Sequence, residues 1–192
     1  KFYENAINHL YQEELGEIIT DDKNIYEELQ QLYAGNPDIL SKIRFYENDA
    51  ISLGTLYSFE TQIQRAISER VWMKSGAYLI IQPTEALRVM DVNSGKNTSG
   101  KNAEEYYYKI NLEAAAEISR QLRLRNISGI VIVDFINMAK EEQRKELMHQ
   151  FRLSLKEDPV PVRLVDITKL GLVELTRKKE RKTLLEQVAQ LR

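Results

Sequence analysis

The sequence contains no cysteine, which excludes disulfide bonds and thiolate zinc sites within this chain. It contains only two histidines, His9 and His149, and both lie far along the chain from the polar strand ends described below, so neither is predicted as a metal ligand. No apolar run approaches the roughly 20 residues that cross a bilayer. Residues 1–5 also lack the apolar core of a signal peptide. We therefore expect a cytoplasmic protein without a membrane span.

The chain also lacks a large net charge. Its 27 Lys and Arg residues nearly balance 29 Asp and Glu residues, for a formal charge of −2. There is thus no overall attraction to nucleic acid, and binding of a polyanion would depend on local basic clusters. The length of 192 residues and the 43% hydrophobic content suffice for one domain plus a partial second. Because the chain does not begin with Met, we expect a piece of a longer protein.

From about residue 70 the sequence alternates between predicted strands and helices. Apolar segments bounded by turn residues predict strands near 70–73, 77–81, 87–92, 130–133, 162–167 and 172–176. A short turn at Lys74–Gly76 makes the first two strands a hairpin, and helices are predicted after Gly100 and over 140–156. This pattern predicts an α/β fold with a mixed sheet and flanking helices.

The residues before 70 are patterned less regularly. Short strands are predicted near 17–19 and 42–46, with a helix between them that begins at Asp21 or Asp22. A stripe of apolar residues at helical spacing then predicts a single helix over about 55–68: Leu56, Phe59, Ile63 and Ile67.

Polar side chains lie at the ends of two predicted strands. Asp91 and Asn93 end Leu87–Asn93, and Asp134 ends Ile130–Asp134. Ligands of open α/β sheets bind at the carboxyl ends of strands, and one helical crossover predicts that these two strands are neighbours. Two carboxylates that lie so close repel each other unless a cation neutralises them. We therefore predict a site for Mg²⁺, for which Mn²⁺ can substitute, with Asp91 and Asp134 as ligands.

The third polar residue of this group is Asn93. It follows Asp91 by two positions and therefore lies on the same face of the strand. Its amide can orient a phosphate or a water without adding negative charge. A cation between two carboxylates and a phosphate oxygen favours phosphodiester hydrolysis, so Asp91, Asn93 and Asp134 are the predicted catalytic residues.

Two other interpretations remain open. The segment Gly95–Lys101 has the glycine and lysine spacing of a phosphate-binding P-loop, between a strand and a helix, which would indicate a nucleotide hydrolase. However, position 102 is Asn, where that motif needs a hydroxyl for Mg²⁺, and a P-loop leaves Asp91 and Asn93 unexplained. A non-catalytic RNA-binding module would instead bind RNA with a steep salt dependence and no metal requirement.

Several blocks of sequence, in the same order, resemble the catalytic region of the ribonuclease E/G family: Thr84–Ser94, Asn111–Ala115, Glu117–Arg125, Gly129–Met138 and Gly171–Arg177. The resemblance is clearest from about residue 41 to residue 177. It implies a deoxyribonuclease-I-like catalytic subdomain at 69–178. At 1–68 it implies part of a ribonuclease-H-like structural region, next to the pocket with which the family senses the 5′-monophosphate of RNA. Beyond the resemblance, the spacing of Leu184, Val188 and Leu191 predicts a C-terminal helical tail at 179–192.

The resemblance also implies a function. Members of this family are Mg²⁺-dependent endoribonucleases that cut single-stranded, AU-rich RNA to 5′-phosphate and 3′-hydroxyl ends, in RNA processing and mRNA decay. By motif position, Asp91 and Asp134 would bind the metal, and Asn93 would hydrogen-bond near the scissile phosphate. The basic residues that are candidate RNA contacts are Lys96, Lys101, Arg120, Lys169, Arg177 and Lys178.

Three parts of the family pattern are expected to lie outside this sequence. They are the OB-type RNA-binding domain, the pocket that senses the 5′-monophosphate of the RNA, and the paired-cysteine zinc link that joins two protomers. A homo-oligomer is therefore expected only for a full-length protein.

Overall fold

A computed structural model describes residues 3, 7, 15–95 and 103–190. The chain divides into two compact units, residues 1–62 and residues 63–192. The helical spacing of Tyr3, Ile7 and Leu10 predicts a helix over 2–11, most of which lies outside the described residues. The domain limits at 68 and 178 stay predictions, as does the correspondence of the parts to ribonuclease-H-like and deoxyribonuclease-I-like subdomains.

The first unit contains a two-stranded parallel sheet and short helices. Its elements are β1 (Ile18–Thr20), α1 (Lys23–Leu32), α2 (Pro37–Leu40), β2 (Ile43–Phe45), α3 (Leu53–Leu56) and the start of α4 (Phe59–Ile67). The carboxylate of Asp22 accepts hydrogen bonds from the backbone N–H groups of Asn24 and Ile25, at 2.8 and 3.1 Å, so the predicted start of α1 is confirmed. Leu29 of α1 is buried in a small core with Ile39 and Ile43.

The single helix predicted over 55–68 is wrong. Two helices, α3 and α4, are separated at Ser58, whose positive φ of 51° ends the first of them. The apolar stripe is also not buried, because Leu56, Phe59 and Ile63 are all exposed to solvent. Helical spacing determines which side chains share a face, but it does not determine whether that face is covered.

The second unit is built on a six-stranded sheet. Its strands are β3 (Arg70–Trp72), β4 (Tyr78–Pro83), β5 (Leu87–Asn93), β6 (Gly129–Asp134), β7 (Val162–Ile167) and β8 (Val173–Arg177). They lie in the order β3-β4-β5-β6-β8-β7. Strands β5 and β6 are parallel, and every other neighbouring pair is antiparallel. The predicted mixed sheet is therefore confirmed.

Helices α5 (Ala103–Leu124) and α6 (Glu141–Leu155) flank this sheet, and α7 (Leu184–Gln190) follows it. Both helices lie where the sequence predicted them. Their buried apolar residues include Ile110, Ala114, Ile118 and Leu122 of α5, and Leu147, Phe151 and Leu155 of α6. Of the helices in the described ranges, none is both long enough and apolar enough to cross a membrane.

The two faces of the sheet differ in burial. On one face, alternate residues such as Leu79, Met90, Val131 and Leu175 are completely buried in the core with α5 and α6. The residues between them point to the opposite side. We call that side the exposed face, defined by the half-buried or exposed side chains of Arg70, Trp72, Tyr78, Ile80, Asp91, Asn93, Ile132 and Asp134.

Candidate active site

Asp91 and Asp134 lie side by side on the exposed face. They end the parallel strands β5 and β6, and their Cα atoms are partners in the register of that pair. Neighbouring strands are about 4.8 Å apart, so the two carboxylates share one small region. Asp91 is half-buried and Asp134 is exposed. The prediction that the two strands are neighbours is confirmed, whereas the metal-binding role of the carboxylates stays a prediction.

Asn93 orients one of these carboxylates. Its side-chain Nδ2 donates a hydrogen bond of 2.8 Å to Oδ2 of Asp91. The two residues lie on the same face of β5, as their spacing predicted. This bond restricts rotation of the Asp91 carboxylate without adding negative charge to the site.

The loop after Asp134 is held by a residue for which the sequence predicted no role. Asn111 of α5 is fully buried, and its side chain bonds both backbone groups of Ile136: Nδ2 donates to the carbonyl at 2.7 Å, and Oδ1 accepts from the N–H at 3.0 Å. The sequence offered one indication of this role: Asn111 is a polar residue that follows the apolar Ile110 within a predicted helix. Asn111 therefore fixes the chain two residues after Asp134.

The chain beyond Asn93 passes close to the β3–β4 turn. Gly95 has a φ of +71°, and a Cβ atom built there would lie 2.5 Å from the carbonyl oxygen of Gly76. Position 95 therefore requires glycine for reasons of backbone packing. The rest of the P-loop-like segment, including Lys96 and Lys101, lies outside the described residues, so neither its phosphate-binding role nor those two RNA contacts is tested.

The oxygen atoms at the site are suited to a hard cation. Within the described ranges, no group of three or more His, Cys, Asp or Glu residues is placed to hold a metal ion. The donors here are two carboxylates and one amide, from Asp91, Asp134 and Asn93. Mg²⁺ is commonly held by one or two carboxylates, with waters and substrate phosphates completing its coordination, whereas zinc prefers nitrogen and sulfur ligands. These residues therefore fit Mg²⁺ or Mn²⁺ better than zinc.

Comparison with known proteins shows the family to which this chain belongs. The profile of the Ribonuclease E/G family matches residues 1–180. The chain belongs to the ribonuclease E/G family. This confirms the resemblance that was drawn from separate blocks of sequence.

Three relatives illustrate the similarity. Ribonuclease G of Salmonella typhimurium (strain SL1344) is 39% identical over 171 residues, which cover 88% of this chain and 35% of that protein. Ribonuclease E of Synechocystis sp. is 36% identical over 194 residues, 98% of this chain and 28% of the relative. Ribonuclease E of Escherichia coli (strain K12) is 35% identical over 176 residues, which cover 91% of this chain and 16% of that protein. The chain thus spans about a third or less of the length of these relatives.

One candidate RNA contact of this ribonuclease E/G family member lies at the same edge of the sheet as the carboxylates. Lys169 is exposed in the turn between β7 and β8. Val173, which begins β8, is the register partner of Val133, the residue before Asp134. Lys169 therefore lies at the carboxyl end of β6.

Lys169 also lines a cleft of about 650 Å³ between α6, the β7–β8 hairpin and the loop after Asp134. Three further cations line it: Arg144, Lys145 and Arg152. Lys145 is paired with Glu141 at 2.7 Å, and their hydrogen bond lowers the pKa of the Glu141 carboxyl. Two acids, Glu141 and Asp166, line the cleft beside these four cations, so the lining carries an excess of positive charge.

Two other candidate contacts lie at the opposite edge. Arg120 is near the end of α5, which leads back to the start of β6, and it forms two hydrogen bonds with Glu117, at 2.6 and 2.9 Å. That hydrogen bonding raises the pKa of the Arg120 guanidinium. Lys178 follows Arg177, the register partner of Gly129 at the start of β6. Neither residue lies beside Asp134.

Arg177 is buried, which corrects its interpretation as a candidate RNA contact. Its side chain is 3% exposed, and it donates to both carboxylate oxygens of Asp158 at 2.8 and 3.1 Å. Its Nη1 donates to Asn126 Oδ1 at 2.9 Å and to the carbonyl of Ile127 at 3.2 Å. The guanidinium thus joins three segments of the interior instead of facing solvent.

Proposed function

We propose that this chain contains the metal site of an endoribonuclease that hydrolyses single-stranded RNA with Mg²⁺, for which Mn²⁺ substitutes. The observation that carries the proposal is the direct register of Asp91 with Asp134 on the exposed face. Membership of a family whose relatives are named ribonuclease G and ribonuclease E supports it.

Each residue of the site would have a separate role. Asp91 and Asp134 hold the cation, which when bound supplies Lewis-acid activation for the attack of water on phosphorus. Asn93 keeps the Asp91 carboxylate oriented through its 2.8 Å hydrogen bond. The second N–H of the Asn93 amide is then directed to an oxygen of the scissile phosphate.

The reaction that we propose breaks one bond of the RNA backbone. The water oxygen forms a bond to phosphorus, the bond from phosphorus to the 3′ oxygen breaks, and the 3′ oxygen takes up a proton. The products are a 5′-phosphate and a 3′-hydroxyl. A preference for AU-rich RNA and a place in RNA processing and mRNA decay form part of this proposal through the family resemblance.

Contacts to the RNA backbone would come from the cleft beside the site. Lys169, Arg144 and Arg152 line it near the loop that follows Asp134. Phosphate contacts position a strand without reading its sequence, and their affinity falls as salt rises. The buried Arg177 is not included among the proposed contacts.

Metal binding tests the proposal most directly. We expect Mn²⁺, titrated into this chain without nucleotide and followed by electron paramagnetic resonance of the free ion, to bind the wild type. The variant Asp91→Asn should lose this binding. The matched control is Asp166→Asn, which changes an exposed aspartate of β7 that is assigned no role and whose Oδ1 accepts the N–H of Ile167.

The possible outcomes separate the interpretations. Binding that persists in Asp91→Asn would refute the carboxylate metal site. Binding that appears only after ATP is added, and that depends on Lys101, would favour the nucleotide hydrolase. RNA binding with steep salt dependence but without any metal binding would favour the non-catalytic RNA-binding module.

A further inference from the structure

An aromatic pair projects from the exposed face beside the carboxylates. Trp72 of β3 is 62% exposed, although it is the largest apolar side chain type and the only tryptophan in the chain. Its ring lies 5.0 Å from the ring of Tyr78 on β4, centroid to centroid, in a tilted arrangement. Tyr78 is half-buried. Aromatic side chains normally contribute a large buried area, so a pair with one ring this exposed indicates a binding surface.

A cation completes this group. The guanidinium carbon of Arg70 lies 4.6 Å from the centroid of the Tyr78 ring and 5.6 Å from that of Trp72. These distances are within the range of cation–π attraction, which holds the guanidinium over the rings. We call these three residues the aromatic cluster. It presents flat apolar rings and one positive charge together.

The strand register places the aromatic cluster next to the proposed metal site. Trp72 is the partner of Tyr78, and Tyr78 is the partner of Asn93, so the three side chains form one row across β3, β4 and β5. With strands about 4.8 Å apart, Tyr78 lies one strand spacing from Asn93 and Trp72 lies two, which is roughly 5 and 10 Å. The rings are therefore lateral neighbours of the amide.

A second row of register partners also places the aromatic cluster beside the proposed metal site. Arg70, Ile80, Asp91 and Asp134 are successive partners across β3, β4, β5 and β6. Arg70 is thus the only charged member of that row besides the two proposed metal ligands, and it has the opposite sign. A ligand that spans the two rows would meet carboxylates for a cation at one end and a guanidinium with two rings at the other.

A nucleotide has the matching chemistry, since it carries a flat base and a negative phosphate. Bases stack on exposed aromatic side chains regardless of sequence, because every base has a π face, and arginine adds cation–π and phosphate contacts. We propose that the aromatic cluster is a base-stacking subsite that holds a nucleotide adjacent to the scissile phosphate. This inference rests on the proposed function and names the part of the substrate that β3 and β4 would bind.

The single tryptophan gives a direct measurement. Fluorescence of Trp72 is recorded while a single-stranded RNA decamer is added in EDTA, which prevents cleavage, and then while an abasic decamer with the same phosphates is added. We expect quenching by the RNA and little change with the abasic strand. Equal quenching by both strands would overturn base stacking in favour of a purely electrostatic contact.

Variants test the same point without relying on fluorescence. In anisotropy measurements with labelled RNA, Tyr78→Ala and Trp72→Leu should each weaken binding by about five- to 150-fold, the range that loss of one base–aromatic stack produces. Trp72→Phe keeps a ring and should retain most of the affinity. The matched control Leu153→Ala removes an exposed apolar side chain of α6 and should change nothing.

Two further outcomes would overturn the inference. RNA that binds without any change in Trp72 fluorescence must follow another path. A fluorescence change that depends on protein concentration alone, with a doubled mass in solution, would mean that a second copy of the chain covers the cluster. Mn²⁺ affinity of Tyr78→Ala should equal that of the wild type, so failure of the stacking subsite is distinguishable from failure of the metal site.

Discussion

Charged side chains lie at both ends of strand β6, but they are accessible at one end and buried at the other. At the carboxyl end, Asp134 is exposed beside the half-buried Asp91. At the start of β6, Arg177 pairs with Asp158, and the two side chains are only 3% and 2% exposed. The first arrangement leaves carboxylate oxygens for a ligand, whereas the second uses its charges to hold the interior together.

The direction of each side chain explains this difference. Arg177 has the same alternation as Val173 and Leu175, so it points into the core under the helices. Asp91 and Asp134 point to the exposed face. A charged residue at a strand end is therefore no indication of function by itself. Its face and its partners decide whether it can meet a substrate.

Loss of an accessible carboxylate should affect activity and not stability. In the protein that contains this chain, Asp134→Asn should lower RNA cleavage by more than about 100-fold. Mutation of a residue that only hydrogen-bonds to a metal ligand typically lowers activity about 10- to 100-fold, and loss of a ligand itself should lower it further. RNA binding and the melting temperature should remain nearly unchanged. Cleavage equal to that of the wild type would contradict the assignment of Asp134 as a ligand.

Loss of the buried cation should do the reverse. Arg177→Met leaves the Asp158 carboxylate buried without its partner, which should lower the free energy of unfolding by about 3–5 kcal/mol. Urea denaturation followed by circular dichroism measures this loss. The adjacent exposed residue provides the control: Lys178→Met should change stability by less than about 0.5 kcal/mol. Similar values for both variants would mean that the buried network contributes little.

A third variant affects both properties, since it lies in the core next to the site. Asn111→Leu removes both hydrogen bonds to Ile136 and should cost about 1–3 kcal/mol of unfolding free energy. Mn²⁺ affinity should fall as well, because the loop after Asp134 loses its anchor. As a control, Ser119→Ala removes one buried hydrogen bond of the same helix, to the carbonyl of Ala115, and should leave Mn²⁺ affinity unchanged. A stability loss without any change in metal affinity would limit Asn111 to a structural role.

A variant at the start of the C-terminal helix α7 should lower stability by less than Asn111→Leu does. The size of this loss should depend on pH. The N–H and hydroxyl of Thr183 each donate to Glu186 at 2.7 Å, which lowers the pKa of the Glu186 carboxyl. The folded state therefore favours the ionised form, so this contribution is complete above the ordinary glutamate pKa and is lost as pH falls through the lowered value. Thr183→Ala should lower the melting temperature by about 2–4 °C at neutral pH. A deficit that stays constant on acidification would contradict this origin.

The smallest effect is expected at an ion pair of α5 that lies toward the start of β6 but outside the contacts of Arg177. Arg120→Ala removes the partner of Glu117 on α5 and should change the free energy of unfolding by less than about 0.5 kcal/mol. It should also leave RNA affinity unchanged, because Arg120 lies toward the edge opposite Asp134. A clear loss of RNA binding in filter assays would extend the RNA path to that edge.

The sequence by itself determined the local elements and much of the candidate site. Apolar segments bounded by turn residues predicted strands β3 to β8, and helices were predicted where α5 and α6 lie. The spacing of Asp91 and Asn93 placed both on one face of β5. These features depend on the backbone geometry of neighbouring residues, which a local pattern expresses directly.

Only the tertiary structure decided which of these faces is covered. The register that aligns Asp91 with Asp134, the burial of Arg177 and the exposure of Leu56 and Phe59 all depend on residues far apart in sequence. The row from Trp72 to Asn93 likewise requires three strands in a particular order. Periodicity sets the direction of a side chain relative to its own strand or helix. What that side chain meets is set by packing between elements, which no local pattern contains.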